Sequence, residues 1–277
     1  MLELRANERL AERFQVVGAL ESDEQGSLLV AKDCAWADRP VLLKPLMREF
    51  LSKPDQVDQL RHDIEVWRKI DAPALAQVYE FVEDSDFSGL CFEAVQGKAL
   101  REILQVAPPN LFVSVSVLSE LIECVEVCHQ NGLCMGGLDG CKTVLDPRGQ
   151  LRILPTCMIS SSTSLDVRKA RDILFVQKAL WKMIPLAIQR AAVGSCWSLQ
   201  RQSRPSRDAI TLAHEIEVWL GERITQRDVV SIEDLRQVTH ALREELHTYQ
   251  PLTGEQLLVL FGAISVLTLY VLSAWSL

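Results

Sequence analysis

The sequence predicts an α+β fold, with a β-rich N-terminal part, a helical C-terminal part and one membrane-spanning helix after them. Three observations carry this. Residues 13–33, RFQVVGALESDEQGSLLVAKD, are two alternating apolar runs either side of an acidic turn, which is the pattern of a β-hairpin. From residue 55 onward the apolar residues recur at helical spacing instead, as in DQVDQLRHDIEVWRKI, where Val57, Leu60, Ile64, Trp67 and Ile70 share one face. Residues 257–277, LLVLFGAISVLTLYVLSAWSL, carry no charge at all.

A chain of 277 residues holds one good-sized domain with appendages. Its formal charge of −8 leaves no basic footprint, so no nucleic-acid partner is expected. The eight cysteines lack short paired spacings, and no apolar run follows basic residues at the N-terminus. A reducing cytosol without disulfides is expected. Cys124, Cys128 and His129 share a helix end, with Cys134 and Cys141 near in sequence, and so invite a zinc reading. The chain has no C-x-x-C pair, and cysteine is commonly a small buried residue, so no metal is assigned.

In order along the chain, residues 1–12 read as a polar arm and 13–33 as the hairpin. PVLLKPL, 40–46, is a strand and 55–70 a helix. A turn at Asp71-Ala72-Pro73 leads to strands near 75–82 and 88–93. A long apolar helix, 111–130, ends at the turn Asn131-Gly132. TVLD and LRIL then form a small hairpin around Pro147-Arg148-Gly149. Helices follow at 172–184 and 204–220. A further helix, 231–250, places Ile232, Leu235, Thr239, Leu242, Leu246 and Tyr249 on one stripe. That stripe serves equally for packing on the domain or for pairing with a partner helix.

The stretch 129–157, HQNGLCMGGLDGCKTVLDPRGQLRILPTC, resembles the catalytic-loop hairpin of the protein kinase family, laid over it without a gap. Residues 13–33 resemble the first two strands of bacterial-type serine/threonine kinases, and 90–104 their hinge and the helix after it. Residues 172–184 resemble the buried central helix, and 204–220, which opens Arg204-Pro205-Ser206, the last one. The resemblance spans about 13–220. It implies a bilobal protein-kinase-like fold over 13–222, with an N-lobe at 13–93 and a shortened C-lobe at 97–222.

The same alignment implies a nucleotide cleft from which the chemistry is missing. H-R-D becomes Met135-Gly136-Gly137, the metal-binding Asn becomes Lys142, and D-F-G becomes Pro155-Thr156-Cys157. Gly137 cannot accept a proton, Lys142 would repel a cation and Pro155 offers no ligand, so no catalytic residue is assigned. Asp139 and Asp146 are the nearby carboxylates. The vestigial cleft comprises Gly26, the one glycine left in the loop over the phosphates; Lys44, in place of the V-A-I-K lysine; and Asp63, one methylene short of the helix glutamate. Phe92 stands at the gatekeeper place, and Glu93 to Val95 at the hinge. A Lys44–Asp63 pair would be stretched. Only 14 residues, 158–171, separate Cys157 from Asp172, and they lack an A-P-E ending, so the substrate shelf is expected to be missing. Asp172 retains the place of the family's aspartate that braces the catalytic loop.

The resemblance therefore implies a pseudokinase, a binding or scaffold module without phosphoryl transfer. No cofactor is expected beyond ATP bound without magnesium-dependent transfer. Partners are proteins, an active kinase or a membrane complex among them. Two rival readings are an atypical kinase or ATP-binding switch using Lys44, and a structural subunit of a membrane complex. At about 1.5 Å per residue, 257–277 is long enough to cross the ~30 Å hydrocarbon layer. With no signal ahead of it, the domain is expected on the cytoplasmic side as a single-pass, tail-anchored protein.

Overall fold

Six strands of the N-terminal part form one antiparallel sheet, and their side-chain period explains why both of its faces are buried. The computed structural model describes residues 8–23, 26–106, 110–159, 164–193, 207–226 and 230–247. Strands β1 (Arg9–Leu10), β2 (Phe14–Asp23), β3 (Gly26–Asp33), β4 (Arg39–Pro45), β5 (Val78–Glu83) and β6 (Ser88–Glu93) lie in the order β1-β2-β3-β4-β6-β5. On β4, Val41 and Leu43 turn into a small outer core with Phe14, Leu29, Ala31, Phe87 and Cys91. Leu42 turns the other way, into the main core with Leu90 and Phe92, and the period of two puts Lys44 on that same face. Residues 9 and 10 pair with 15 and 14, so the sheet begins inside the stretch expected to be an arm.

The corner after β3 is fixed by one buried carboxylate. Asp33 accepts from Arg13 at 2.6 and 2.7 Å, from Arg39 at 2.9 Å and from the amide of Ala35 at 3.3 Å. Burial alone would raise its pKa, but the hydrogen bonds from Arg13 and Arg39 outweigh that and hold it below the ordinary carboxylate value. A carboxylate with a lowered folded pKa stabilises the fold above its unfolded value, about 4, and loses that contribution as the pH falls through the folded value. Urea unfolding of Asp33→Asn should therefore show a deficit at pH 7 that shrinks below about pH 4. A constant deficit from pH 7 to 3 would refute this.

Helices α1 (Arg48–Leu51) and α2 (Pro54–Lys69) follow β4. The stripe of α2 is buried as its spacing predicts, through Val57, Leu60, Ile64 and Trp67. After β6 the chain enters a second sheet of β7 (Lys98–Ala99), β8 (Thr143–Leu145) and β9 (Leu151–Ile153), in that order. The entry requires Gly97: at φ 154° a Cβ there would sit 2.2 Å from the carbonyl oxygen of Leu145. Helices α3 (Leu100–Val106), α4 (Leu111–Gln130), α5 (Leu165–Val193), α6 (Arg207–Gln226) and α7 (Ile232–His247) complete the second lobe. The lobes are stitched at 74–76, where the Trp67 indole donates to the Ala76 carbonyl at 2.9 Å and the Ala76 amide donates to Ile153 at 3.0 Å.

Two boundaries differ from the sequence reading, and a third, at 204–206, lies outside the described residues. The helix expected from 172 begins at Leu165, because LDVRKAR contains no breaker and sets Asp166 in the first turn, where a negative charge suits the helix dipole. The last helix expected from 204 is described from Arg207. The domain does not end near 222. Leu235, Thr239, Leu242 and Leu246 of α7 are buried against it, and Arg236 reaches Glu126 of α4 at 3.5 Å. The stripe is thus spent on the chain's own second lobe over Ile232–His247; Tyr249, expected on it, lies outside the described residues. Among the described residues no helix is long and apolar enough to cross a membrane; the segment 257–277 lies outside them.

Candidate functional site

Two residues one turn apart on α5 assemble the centre of the molecule. Residues four apart on a helix share a face, and Arg168 and Asp172 use that face in different directions. The carboxylate of Asp172, fully buried, accepts from the backbone amides of Met135 at 2.9 Å and Gly136 at 2.6 Å, and lies 3.1 Å from His129 Nε2. The loop that stands where a catalytic loop would be is therefore clamped by its own N–H groups. Arg168 reaches past the same loop to Asp63 on α2 at 2.7 Å, and also donates to the carbonyl of Cys134. Gly136 makes room for it: a Cβ at that position would meet Arg168 Cγ at 2.8 Å.

Asp63 thus takes Arg168 as its ion-pair partner, with Gln59 donating to its other oxygen at 2.8 Å. The short carboxylate expected opposite Lys44 is reached in full by an arginine from the second lobe. Lys44 is buried, 2 % exposed, opposite Leu90 in the sheet. Glu65 is exposed beside Arg68.

The three positions that the resemblance sets against catalytic residues are filled rather than vacant. Gly137 donates its amide to the carbonyl of Cys157 at 3.2 Å, and a Cβ on Gly137 would lie 2.8 Å from that same oxygen. Lys142 is buried, and its ammonium donates to the Gly137 carbonyl at 3.0 Å and lies 3.5 Å from Asp139 Oδ2. Pro155 begins a buried turn of 3-10 helix, Pro155–Met158, that carries the Cys157 carbonyl into place. Asp139 accepts from the amides of Cys141 at 2.8 Å and Lys142 at 3.0 Å, and Asp146 from those of Arg148 at 2.8 Å and Gln150 at 2.9 Å. Both carboxylates are occupied by turn backbone, as their spacing from Gly140 and Gly149 suits. Substituting Gly137→Asp is expected to lower stability by about 1–3 kcal/mol through overpacking; a urea midpoint equal to that of the parent chain would show that the loop yields.

The hinge keeps its place but is tied down. Phe92 is buried beside Leu42, while the Glu93 amide donates to Gln77 at 2.9 Å and its carboxylate pairs with Arg152 of β9. Ala94 and Val95 pack half-buried on the main core. Gly26 pairs with Asp23 at the tip of the first hairpin. The cysteines and histidine considered for zinc go separate ways: Cys124 and Cys128 turn into the core, Cys141 is exposed and His129 faces Asp172. Burial pushes the Cys134 thiol up to about 11 and raises that of Cys157 as well, which leaves them inert. Among the described residues no group of three or more His, Cys, Asp or Glu is placed to hold a metal ion.

Sequence reasoning missed Arg168. Its signal is the Arg-x-x-x-Asp spacing to Asp172, hidden because the expected helix begins only at Asp172. The blocking carbonyl of Cys157 carries no side-chain signal.

Comparison with solved structures decides the fold. The kinase domain of Mycobacterium tuberculosis PknI superposes with a TM-score of 0.59 at 15% identity, covering 88% of this chain and 100% of that one. A single-site mutant of the same PknI domain gives 0.56 at 16%, covering 88% and 99%. The chain has a protein-kinase-like fold. In sequence it is similar to the serine/threonine-protein kinase PrkC of Bacillus subtilis, 17% identical over 167 residues, which are 60% of this chain and 26% of PrkC. It is also similar to the serine/threonine-protein kinase pkn2 of Myxococcus xanthus, 22% identical over 121 residues, 44% of this chain and 14% of that kinase. The matched region is thus a small part of each of these longer kinases. No family model matches the chain. The kinase-like frame explains why Asp172 and the 129–157 hairpin stand where they do.

Proposed function

We propose that the chain is a catalytically inactive kinase-like domain, held at a membrane through 257–277, that works by binding other proteins. Lys142 carries this reading. In an active kinase, the place it occupies holds a metal ligand, and an aspartate at the Gly137 place orients the substrate hydroxyl. Here an ammonium group bonded to the Gly137 carbonyl stands there instead, in a loop closed by the carbonyl of Cys157. A fixed cation repels Mg²⁺, and without the metal the γ-phosphate has nothing to neutralise its developing charge. Loss of a single positioned group of this kind typically costs about 100- to 1,000-fold in rate, and three such places are changed together. The uncharged 257–277 stretch supports the tether, with the domain on the cytoplasmic side. The test is radiolabelled ATP given to the full chain in neutral detergent. No magnesium-dependent transfer is expected; transfer abolished by Lys44→Ala would overturn the reading.

A second reading, a switch that binds ATP without turning it over, is favoured by the burial of Lys44 at the place of the phosphate-contacting lysine. Melting with ATP in chelator separates the two, since a ligand of the native state raises the midpoint. A rise at millimolar ATP supports the switch, and no rise the pure binding module.

A further inference from the structure

We propose that the small lobe carries a second site, a docking pocket for an acidic peptide segment of a partner protein, built around Arg39 and Trp36. It lies apart from the cleft, and the inference stands whether or not ATP binds there. A cavity of about 570 Å³ opens between the Asp33–Arg39 corner, β5 and the C-terminal half of α2. Three arginines line it, Arg13, Arg39 and Arg68, against one carboxylate, Glu80, on a chain whose net charge is −8. Two of the three are committed. Arg13 holds Asp33 and Glu80, and Arg68 donates to the carbonyls of Val78 and Tyr79 and pairs with Glu65.

Arg39 is different. It makes one ion pair, to Asp33 at 2.9 Å, and its guanidinium stacks 3.7 Å from the Tyr79 ring centre and 5.6 Å from that of Trp36. Its Nε is buried and has no hydrogen-bond partner. The Arg39 side chain as a whole is 31 % exposed, open to a carboxylate entering beside Trp36. Trp36 is 64 % exposed, and the two residues after it, Ala37 and Asp38, are left-handed at φ 51° and 55°. An uncovered tryptophan beside a stacked arginine is the composition of an interface hot spot. The rings pre-order the guanidinium, and buried Asp33 holds it from behind, so a ligand gains a fixed cation at little entropic cost.

Charge complementarity therefore selects a segment rich in aspartate and glutamate with one aromatic or large apolar residue to lie on Trp36. The test is fluorescence anisotropy with the full chain in neutral detergent. The probe is a labelled nonapeptide of four glutamates either side of one phenylalanine, and the control has lysines in place of the glutamates. The acidic probe should bind, the basic one should not, and added salt should weaken the complex. Trp36→Ala, at a solvent-facing position, should leave the melting midpoint in place and weaken binding about tenfold. Arg39→Lys, which keeps the charge but loses the stacked fork, should weaken it several-fold. Absence of binding, equal binding of both peptides, or binding unmoved by Trp36→Ala overturns the proposal. So does sedimentation showing that Trp36→Ala converts a dimer to a monomer while the acidic probe fails to bind, which would give the face to a second copy of the chain.

Discussion

Replacing Arg168 by alanine is expected to destabilise the domain by about 3–5 kcal/mol, the usual cost of leaving one member of a buried ion pair without its partner. Both side chains are nearly sequestered, at 9 % and 3 % exposed, so solvent does little to screen the orphaned Asp63. The loss also removes a donor from the Cys134 carbonyl. The effect should be strongly coupled. In a double-mutant cycle with Asp63→Asn, the second substitution should cost much less once the first is made. The pair Asp63→Leu with Arg168→Met should recover much of the stability, because apolar replacements remove the desolvation cost of both charges. Urea unfolding measures all of these. Additive single effects, or a loss below about 1 kcal/mol for Arg168→Ala, would show that the pair does not hold α2 to the second lobe.

Asp172→Ala should cost about 3 kcal/mol or more, since it strands two buried amide donors, each worth roughly 1–3 kcal/mol when unsatisfied. The amides of Met135 and Gly136 point at this carboxylate, and His129 loses its partner as well. Asp172→Asn retains one acceptor oxygen and should fall between the parent and the alanine variant. Hydrogen exchange gives the sharper reading. In the alanine variant the Met135 and Gly136 amides should exchange faster than the rest of the second lobe. Uniform acceleration throughout would mean that Asp172 contributes only to global stability.

Together these expectations describe a frame kept and a centre rebuilt. In the kinase family a lysine–glutamate pair fastens the helix to the sheet within the small lobe. In this chain Arg168 of α5 ties α2 to the second lobe, beside the contacts at 74–76.

Local pattern by itself determined a good deal. The alternation in 13–33 is buried by pairing in a sheet, and the 3-4 spacing of α2 by a helix lying on a core, so the small lobe was legible. The substitutions at Gly137, Lys142 and Pro155 were legible too, because a missing carboxylate is a fact of composition. Tertiary structure alone decided what surrounds those positions. Arg168 lies 105 residues from Asp63, and no local pattern ties such a distant pair. The Cys157 carbonyl that closes on Gly137 is backbone, identical in every residue type, and its position follows from the turn begun by Pro155. The stripe of α7 left two partners open, since an amphipathic face states only that it must be covered. Packing against α4 and α6 chose the domain itself, because burial within one chain avoids the entropy of association.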